Sequence, residues 1–271
     1  MNITFSKMHG AGNDFIMLPG MELASSHTLK KEKIAELCNR KRGIGANGLI
    51  IVSIPEQKTG YHAQMIYYNS DGSRGEMCGN GLRCAAWYAR HRLNQPKELS
   101  IKTDAGLLYT EIIDSSSVKI EIPYIAEFIK VSVANREMYF GNTGVPHVVV
   151  FVDDIKKIDV NKDGRFLRYH ERFSPAGTNV NFVSINKKAK DENSFLIRTY
   201  ERGVEEETSA CGTGISASAI CAWLYKNASS PVGVTTIDGD QLKVEIPSDK
   251  PLKRIYLTGP VCEVFTGNCH L

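Results

Sequence analysis

One short design occurs twice in this chain, and that duplication constrains the fold more than any other feature. In the first copy a strand-like run, Met65–Tyr68, ends in the turn signal Asn69-Ser70-Asp71-Gly72. Cys78-Gly79-Asn80-Gly81 follows, then a helix-like stretch Leu82–Leu93, then Leu99–Ile122, which alternates enough for two or three strands. In the second copy Phe195–Tyr200 reads as a strand and Glu201–Ala210 as a loop. Cys211-Gly212-Thr213-Gly214 leads into a helix over Ile215–Tyr225, and strands are expected at Thr235–Ile237 and Leu242–Ile246. Both helices carry Leu, Ile, Ala, Cys and Trp on almost every side, so each is expected in the middle of a core. The repeat spans about half the chain, as an ancient duplication would leave it. The expected architecture is two similar domains divided near Pro123, with their matching loops on one cleft.

The rest of the composition is that of an ordinary globular protein. The 271 residues are 42% hydrophobic and 23% charged, with a net charge of +3, which gives no argument for nucleic acid or an anionic membrane. No apolar run approaches the roughly 18 residues of a membrane span, and Met1 to Phe15 lacks the pattern of a secretory signal. Seven cysteines, an odd number without any C-x-x-C, favour reduced thiols in a cytoplasm over a disulfide framework or a structural zinc. A further helix is expected over Lys31–Arg40 and a strand over Leu49–Ile54.

A cysteine just ahead of a helix meets unsatisfied N–H groups and the positive end of the helix dipole, which favour the thiolate. The glycines let backbone N–H groups approach an anion. Two such sites, one per domain, suit inversion of a stereocentre. One thiolate removes the α-proton, the opposite thiol returns a proton from the far face, and the reverse reaction exchanges the roles. N–H groups aimed at a substrate carboxylate oppose the charge that builds up on it, each worth about 2.7–4 kcal/mol in the transition state. Cys38, Cys84, Cys221, Cys262 and Cys269 lack the C-G-x-G context and read as structural.

These residues sit among segments that together resemble the diaminopimelate epimerase family. They are Lys7-Met8-His9-Gly10-Ala11-Gly12-Asn13-Asp14-Phe15, Tyr68-Asn69-Ser70-Asp71-Gly72-Ser73 and Cys78-Gly79-Asn80-Gly81-Leu82-Arg83-Cys84. Gly177-Thr178-Asn179-Val180-Asn181-Phe182, Tyr200-Glu201-Arg202-Gly203 and Ala210-Cys211-Gly212-Thr213-Gly214 complete the set over nearly the whole chain. The resemblance implies an α+β fold of two pseudo-symmetric domains, each a mixed, barrel-like sheet wrapped around a central helix. It implies domains over 1–122, completed by 260–271, and 123–259. It implies a cytoplasmic homodimer, with Val264–Phe265 near the contact, that needs neither pyridoxal phosphate nor metal. The implied reaction converts LL-2,6-diaminopimelate to the meso form for lysine and peptidoglycan synthesis.

By family position Cys78 and Cys211 are the acid/base pair, and the backbone of Gly79, Asn80, Gly212 and Thr213 holds the reacting carboxylate. Asn13, Asn69, Asn179, Glu201 and Arg202 match substrate positions. A guanidinium fork suits a distal carboxylate, and a carboxylate suits an ammonium. His147 and Glu201 are expected to tune the thiols. The chain departs from the family pattern at Val145, where many members carry Asn, at Gly48, where some carry Gln, and at Asn47, where Asp is commoner. Another cofactor-independent amino-acid racemase on the same fold would use the same two thiols and stays open at this stage. Gly43-Ile44-Gly45-Ala46-Asn47-Gly48 matches a dinucleotide-binding pattern, but a helix-like stretch precedes it and a strand-like one follows, the reverse of what such a loop requires.

Overall fold

The computed structural model describes residues 2–20, 29–56, 60–75, 77–124, 126–186, 193–209, 211–249 and 251–271. The chain divides into two compact units, one of residues 1–120 with 259–271 and one of residues 121–258.

The first unit opens with strands β1 (Asn2–Gly10) and β2 (Asn13–Pro19), then helix α1 (Lys31–Cys38), β3 (Gly48–Ser53), β4 (Ala63–Asn69) and the two-residue β5 (Arg74–Gly75). Helix α2 (Gly79–Arg92) follows, then β6 (Glu98–Thr103), β7 (Gly106–Asp114) and β8 (Ser117–Pro123). The second unit runs β9 (Ala126–Val133), β10 (Arg136–Asn142), β11 (Pro146–Phe151), α3 (Val160–Arg168), β12 (Asn179–Ile185), β13 (Ser194–Tyr200) and the short β14 (Glu207–Thr208). Helix α4 (Gly212–Tyr225), β15 (Val232–Thr235), β16 (Gln241–Glu245) and β17 (Arg254–Pro260) complete it, and β18 (Cys262–His270) returns to the first unit.

The strand order of the first unit is β18-β1-β2-β3-β4-β6-β7-β8. That of the second is β9-β10-β11-β12-β13-β15-β16-β17. Both orders show the same sense of pairing: two antiparallel steps, one parallel, one antiparallel, one parallel and two antiparallel. Each parallel step is bridged by a helix, as parallel neighbours require. α1 and α3 bridge the first such step of each unit, and α2 and α4 the second. The duplication read from two cysteine motifs is therefore a duplication of topology.

Each sheet is covered on both faces in its middle. α2 packs on β1 to β4 and β7, and α4 on β10 to β13, β15 and β16. On the other face α1 closes a core of Ile3, Phe5, Ile16, Leu18, Ile34, Leu37, Leu49 and Ile51. α3 closes its counterpart, with Val148, Val150, Val160, Leu167, Val180 and Phe182. That explains why β3 is apolar without alternation, and why in β12 even Asn179, Asn181 and Ser184 are buried: both faces of these strands are covered. Leu82, Ala85, Ala86 and Ala89 of α2, like Ile215, Ala219, Ile220 and Ala222 of α4, are buried, whereas Leu224 and Tyr225 emerge at the end of α4. Among the described residues no helix is long and apolar enough to cross a membrane.

Candidate functional site

In the first unit Cys78 is the N-cap residue of α2, in extended backbone conformation, and its carbonyl accepts the first helical bond from the Leu82 N–H at 2.8 Å. The side-chain amide of Asn13, at the start of β2, lies 3.7 Å from Cys78 Sγ as a donor. Asn13 is delivered by the tight β1–β2 turn through Ala11 and Gly12, both at positive φ. The next residue anchors this turn: Asp14 receives a bidentate bond from Arg40 at 3.0 and 2.7 Å and a 2.7 Å ion pair from the buried Lys7. Asn47 completes the joint, its side-chain oxygen accepting from the Asp14 N–H at 3.2 Å and from Arg40 at 3.3 Å. The glycine-rich segment 43–48 is thus a clamp between α1 and β3. The hydrogen bonds from Arg40, Lys7 and Asn47 hold the Asp14 carboxyl below its usual range against the opposing effect of burial.

Asn80 is buried in the first turn of α2, where its side-chain oxygen accepts from Arg83 Nη2 at 2.8 Å. Asn69 stands at the end of β4, accepting from the Tyr67 hydroxyl at 2.8 Å and donating to Ser73 Oγ at 3.0 Å. Gly48 faces Asn69 across β3 and β4. A Cβ at Gly48 would stand 2.5 Å from the Tyr68 carbonyl oxygen and 2.7 Å from the Tyr67 ring. A glutamine there has no room for even its first carbon. We expect Gly48→Gln to lower stability by about 1–3 kcal/mol, read as a lower urea midpoint with unchanged m-value.

The second unit repeats the arrangement with different polar partners. Cys211 caps α4 in extended conformation, is 8% exposed, and has the Thr213 hydroxyl 3.4 Å from its sulfur. The Thr143 hydroxyl donates to the Thr213 carbonyl at 3.0 Å, tying the Cys-Gly-Thr-Gly turn to the β10–β11 connection, where Val145 lies half-buried. Gly212 is buried, and Ser216 and Ser218 bond back to the carbonyls of Gly212 and Gly214.

Asn179, on β12, donates to the Pro146 carbonyl at 3.1 Å and accepts the backbone N–H of Arg202 at 2.8 Å, so it sets the position of the Glu201-Arg202 loop. The Arg202 guanidinium donates to the Ala176 carbonyl at 3.1 Å. Its acidic neighbours are engaged elsewhere: Glu205 with Arg168 at 3.1 Å, and Glu207 with Arg198 through two bonds of 2.6 and 2.7 Å. Glu201 is half-buried and accepts from the Thr208 hydroxyl at 2.8 Å. Burial pushes its carboxyl above the usual range, and the Thr208 bond only partly offsets that.

His147 is fully buried on β11, in register with Asn179 on β12. Burial, assisted by the Arg202 charge, lowers its pKa to about 3, so the ring is neutral at physiological pH. Its Nδ1 lies 3.1 Å from Asn181 Nδ2, while Nε2 has no partner among the described residues. Asn181, buried against Gly214 of the second cysteine motif, is a residue that the sequence analysis did not single out. The signal was present, because in Asn179-Val180-Asn181 the two asparagines are two apart on a strand and share a face. Of the remaining cysteines, burial pushes Cys38 up to about 11 and raises Cys84 and Cys221, which suits structural thiols.

Three kinds of relative resemble this chain. The sequence model of the diaminopimelate epimerase family matches residues 5–122 and 139–264. A diaminopimelate epimerase of Hydrogenobaculum sp. is 41% identical over 276 residues, covering 97% of this chain and 96% of its own, and that of Aquifex aeolicus is 39% identical over 275 residues with the same coverage. Among solved structures, a Bacillus anthracis phenazine biosynthesis protein of the PhzF family superposes over all of both chains with a TM-score of 0.76 at 15% identity. A hydroxyproline epimerase from Agrobacterium vitis, solved with bound trans-4-hydroxy-L-proline, gives 0.70 at 14% identity over 100% of this chain and 93% of its own. At these identities the two structures are likenesses of fold.

Proposed function

Because the chain belongs to the diaminopimelate epimerase family, an isomerase family, we propose that it inverts one α-carbon of LL-2,6-diaminopimelate through two cysteine acid/base groups without a cofactor. The observation that carries the mechanism is the repeated cap: Cys78 and Cys211 each occupy the N-cap of a helix buried within its own unit. In this reading one cysteine, as thiolate, takes the α-proton. The electron pair left on carbon spreads into the adjacent carboxylate, whose growing charge is met by N–H groups of Gly79 and Asn80 and of Gly212 and Thr213. The other cysteine, as thiol, delivers its proton to the opposite face. The pair then stands with thiol and thiolate exchanged, ready for the reverse direction.

The remaining residues suit the far end of a substrate with a second amino-acid group. Arg202 carries the charge for a distal carboxylate, and Asn179 holds the backbone that presents it. Glu201, whose carboxyl burial raises above its usual range, offers an oxygen partner to an ammonium, whose charge would draw it back down. The proposal extends to a cytoplasmic homodimer, for which the exposed Val264 and Phe265 on β18 offer apolar surface.

The test is turnover of LL-diaminopimelate by the reduced enzyme in D₂O, with no cofactor added, followed by NMR. The expected product is the meso isomer with deuterium at the inverted carbon. Inversion that retains the original hydrogen, or that requires pyridoxal phosphate, would reject the mechanism. Absence of exchange in folded protein with both thiols reduced would reject the substrate.

A further inference from the structure

Behind the Cys211 motif lies a polar cluster with no obvious reason to exist in a core. Asn181, Thr199 and His147 are all buried, on three adjacent strands. The Asn181 side chain makes three contacts within the second unit. Nδ2 lies 3.1 Å from the Val148 carbonyl oxygen and 3.1 Å from His147 Nδ1, and Oδ1 lies 3.0 Å from Thr199 Oγ1. A backbone carbonyl can only accept, so the amide atom facing Val148 must be the NH₂ group. The opposite amide orientation would set two oxygens against each other. A hydroxyl can donate to the amide oxygen that results, and Thr199 does so.

An NH₂ group has two hydrogens. One goes to Val148, so the other points at His147 Nδ1, which must then be an unprotonated acceptor. The neutral ring therefore carries its proton on Nε2, and that N–H is buried and meets no acceptor among the described residues. The burial that keeps the ring neutral agrees with this assignment. Position adds a further reason to link the cluster to catalysis. A Cβ on Gly214, the last residue of the Cys-Gly-Thr-Gly motif, would stand 2.3 Å from Asn181 Oδ1, so the first turn of α4 rests directly on this amide.

We propose that Asn181 is a positioning residue that locks His147 as the neutral Nε2–H tautomer, so that His147 serves the site as a fixed hydrogen-bond donor to an acceptor oxygen of the bound amino acid. His147 is then neither a proton carrier nor a cation. The donor role rests on the reading of this site as an amino-acid epimerase, whereas the tautomer is a property of the free protein.

The experiment separates the two. In whole enzyme labelled with ¹⁵N-histidine, without substrate, long-range ¹H–¹⁵N spectra report each ring nitrogen, and the His147→Gln spectrum assigns the signal. The expected pattern is a bare Nδ1 and a protonated Nε2, unchanged between about pH 5 and about pH 9. A protonated Nδ1, or a titration within that range, overturns the lock whatever the substrate proves to be. In Asn181→Ala the lock is gone, and both tautomers are expected; a ring that stays wholly Nε2–H there shows that Asn181 does not set it and overturns its role. For the donor, His147→Gln keeps an N–H close to the place of Nε2 and is expected to hold kcat/KM within about tenfold, while His147→Leu loses about a hundredfold. Equal losses in the two variants overturn the donor role and leave the two-thiol reading standing.

Discussion

Cys78→Ala and Cys211→Ala are each expected to lower turnover of LL-diaminopimelate by on the order of 10⁴-fold, because in the proposed mechanism each removes the acid/base group on one face of the carbon. The two losses should not multiply. With one thiol gone the other can no longer complete an inversion, so the double variant is expected within about tenfold of either single one, as for groups that act as a unit. Both cysteines sit at N-caps without a side-chain capping bond, so alanine leaves the backbone bonds that start each helix in place. Near-native circular dichroism and thermal midpoints should accompany the loss. Turnover by either single variant within about tenfold of the parent would refute the two-base mechanism.

Acid should destabilise this protein through His147, and removing the histidine should remove that part of the sensitivity. The ring has a pKa of about 3 when folded, against 6.5 as a reference. Below pH 6.5 the unfolded chain binds a proton that the native state refuses. The stability contributed by the neutral ring is therefore complete above the unfolded pKa and is lost as pH falls toward the folded one. At 1.36 kcal/mol per unit, the loss across the whole window is on the order of 5 kcal/mol. It is measured as the difference between parent and His147→Gln in urea midpoints converted to free energy, from neutral pH down to about pH 4. The parent should lose stability faster than the variant at every step; parallel curves would mean that the native ring accepts its proton.

The architecture was legible where periodicity and packing agree. α1, β3, β4 and β13 fall where the apolar spacing put them, within a few residues. Both central helices begin a turn earlier than their apolar residues suggest, at Gly79 and Gly212 rather than at Leu82 and Ile215. Glycine is a poor helix former, so local propensity reads each Gly-x-Gly as loop. What decides is tertiary approach: a Cβ at Gly81 would stand 2.7 Å from Ile50 Cδ1, and one at Gly214 would meet Asn181. The strand expected at Thr235–Ile237 lies at Val232–Thr235, because Thr236 already belongs to a turn closed by the Asp240 N–H onto its hydroxyl. β1 and β2 were hidden because the segment through Asn13 announces its chemistry more loudly than its alternation. The cysteine caps are visible as sequence because they are local. The Asn181–His147–Thr199 cluster is not, since it exists only through the register of three strands.

The two halves of the duplication differ in one respect that concerns how the chain is made. Strand β9, the outer neighbour of β10, is the segment directly before it, whereas the corresponding neighbour of β1 is β18, with residues Asn2 and His270 opposed in register. On a ribosome the second unit can thus assemble from one continuous stretch. The first, although begun earlier, keeps the flank of β1 open until the residues of β18 have emerged. Domains generally fold as units during synthesis, and an unpaired strand edge is where a waiting intermediate associates wrongly. The earlier-made half is therefore the later one to be finished, and from β8 to β18 a newborn chain carries the open flank of β1.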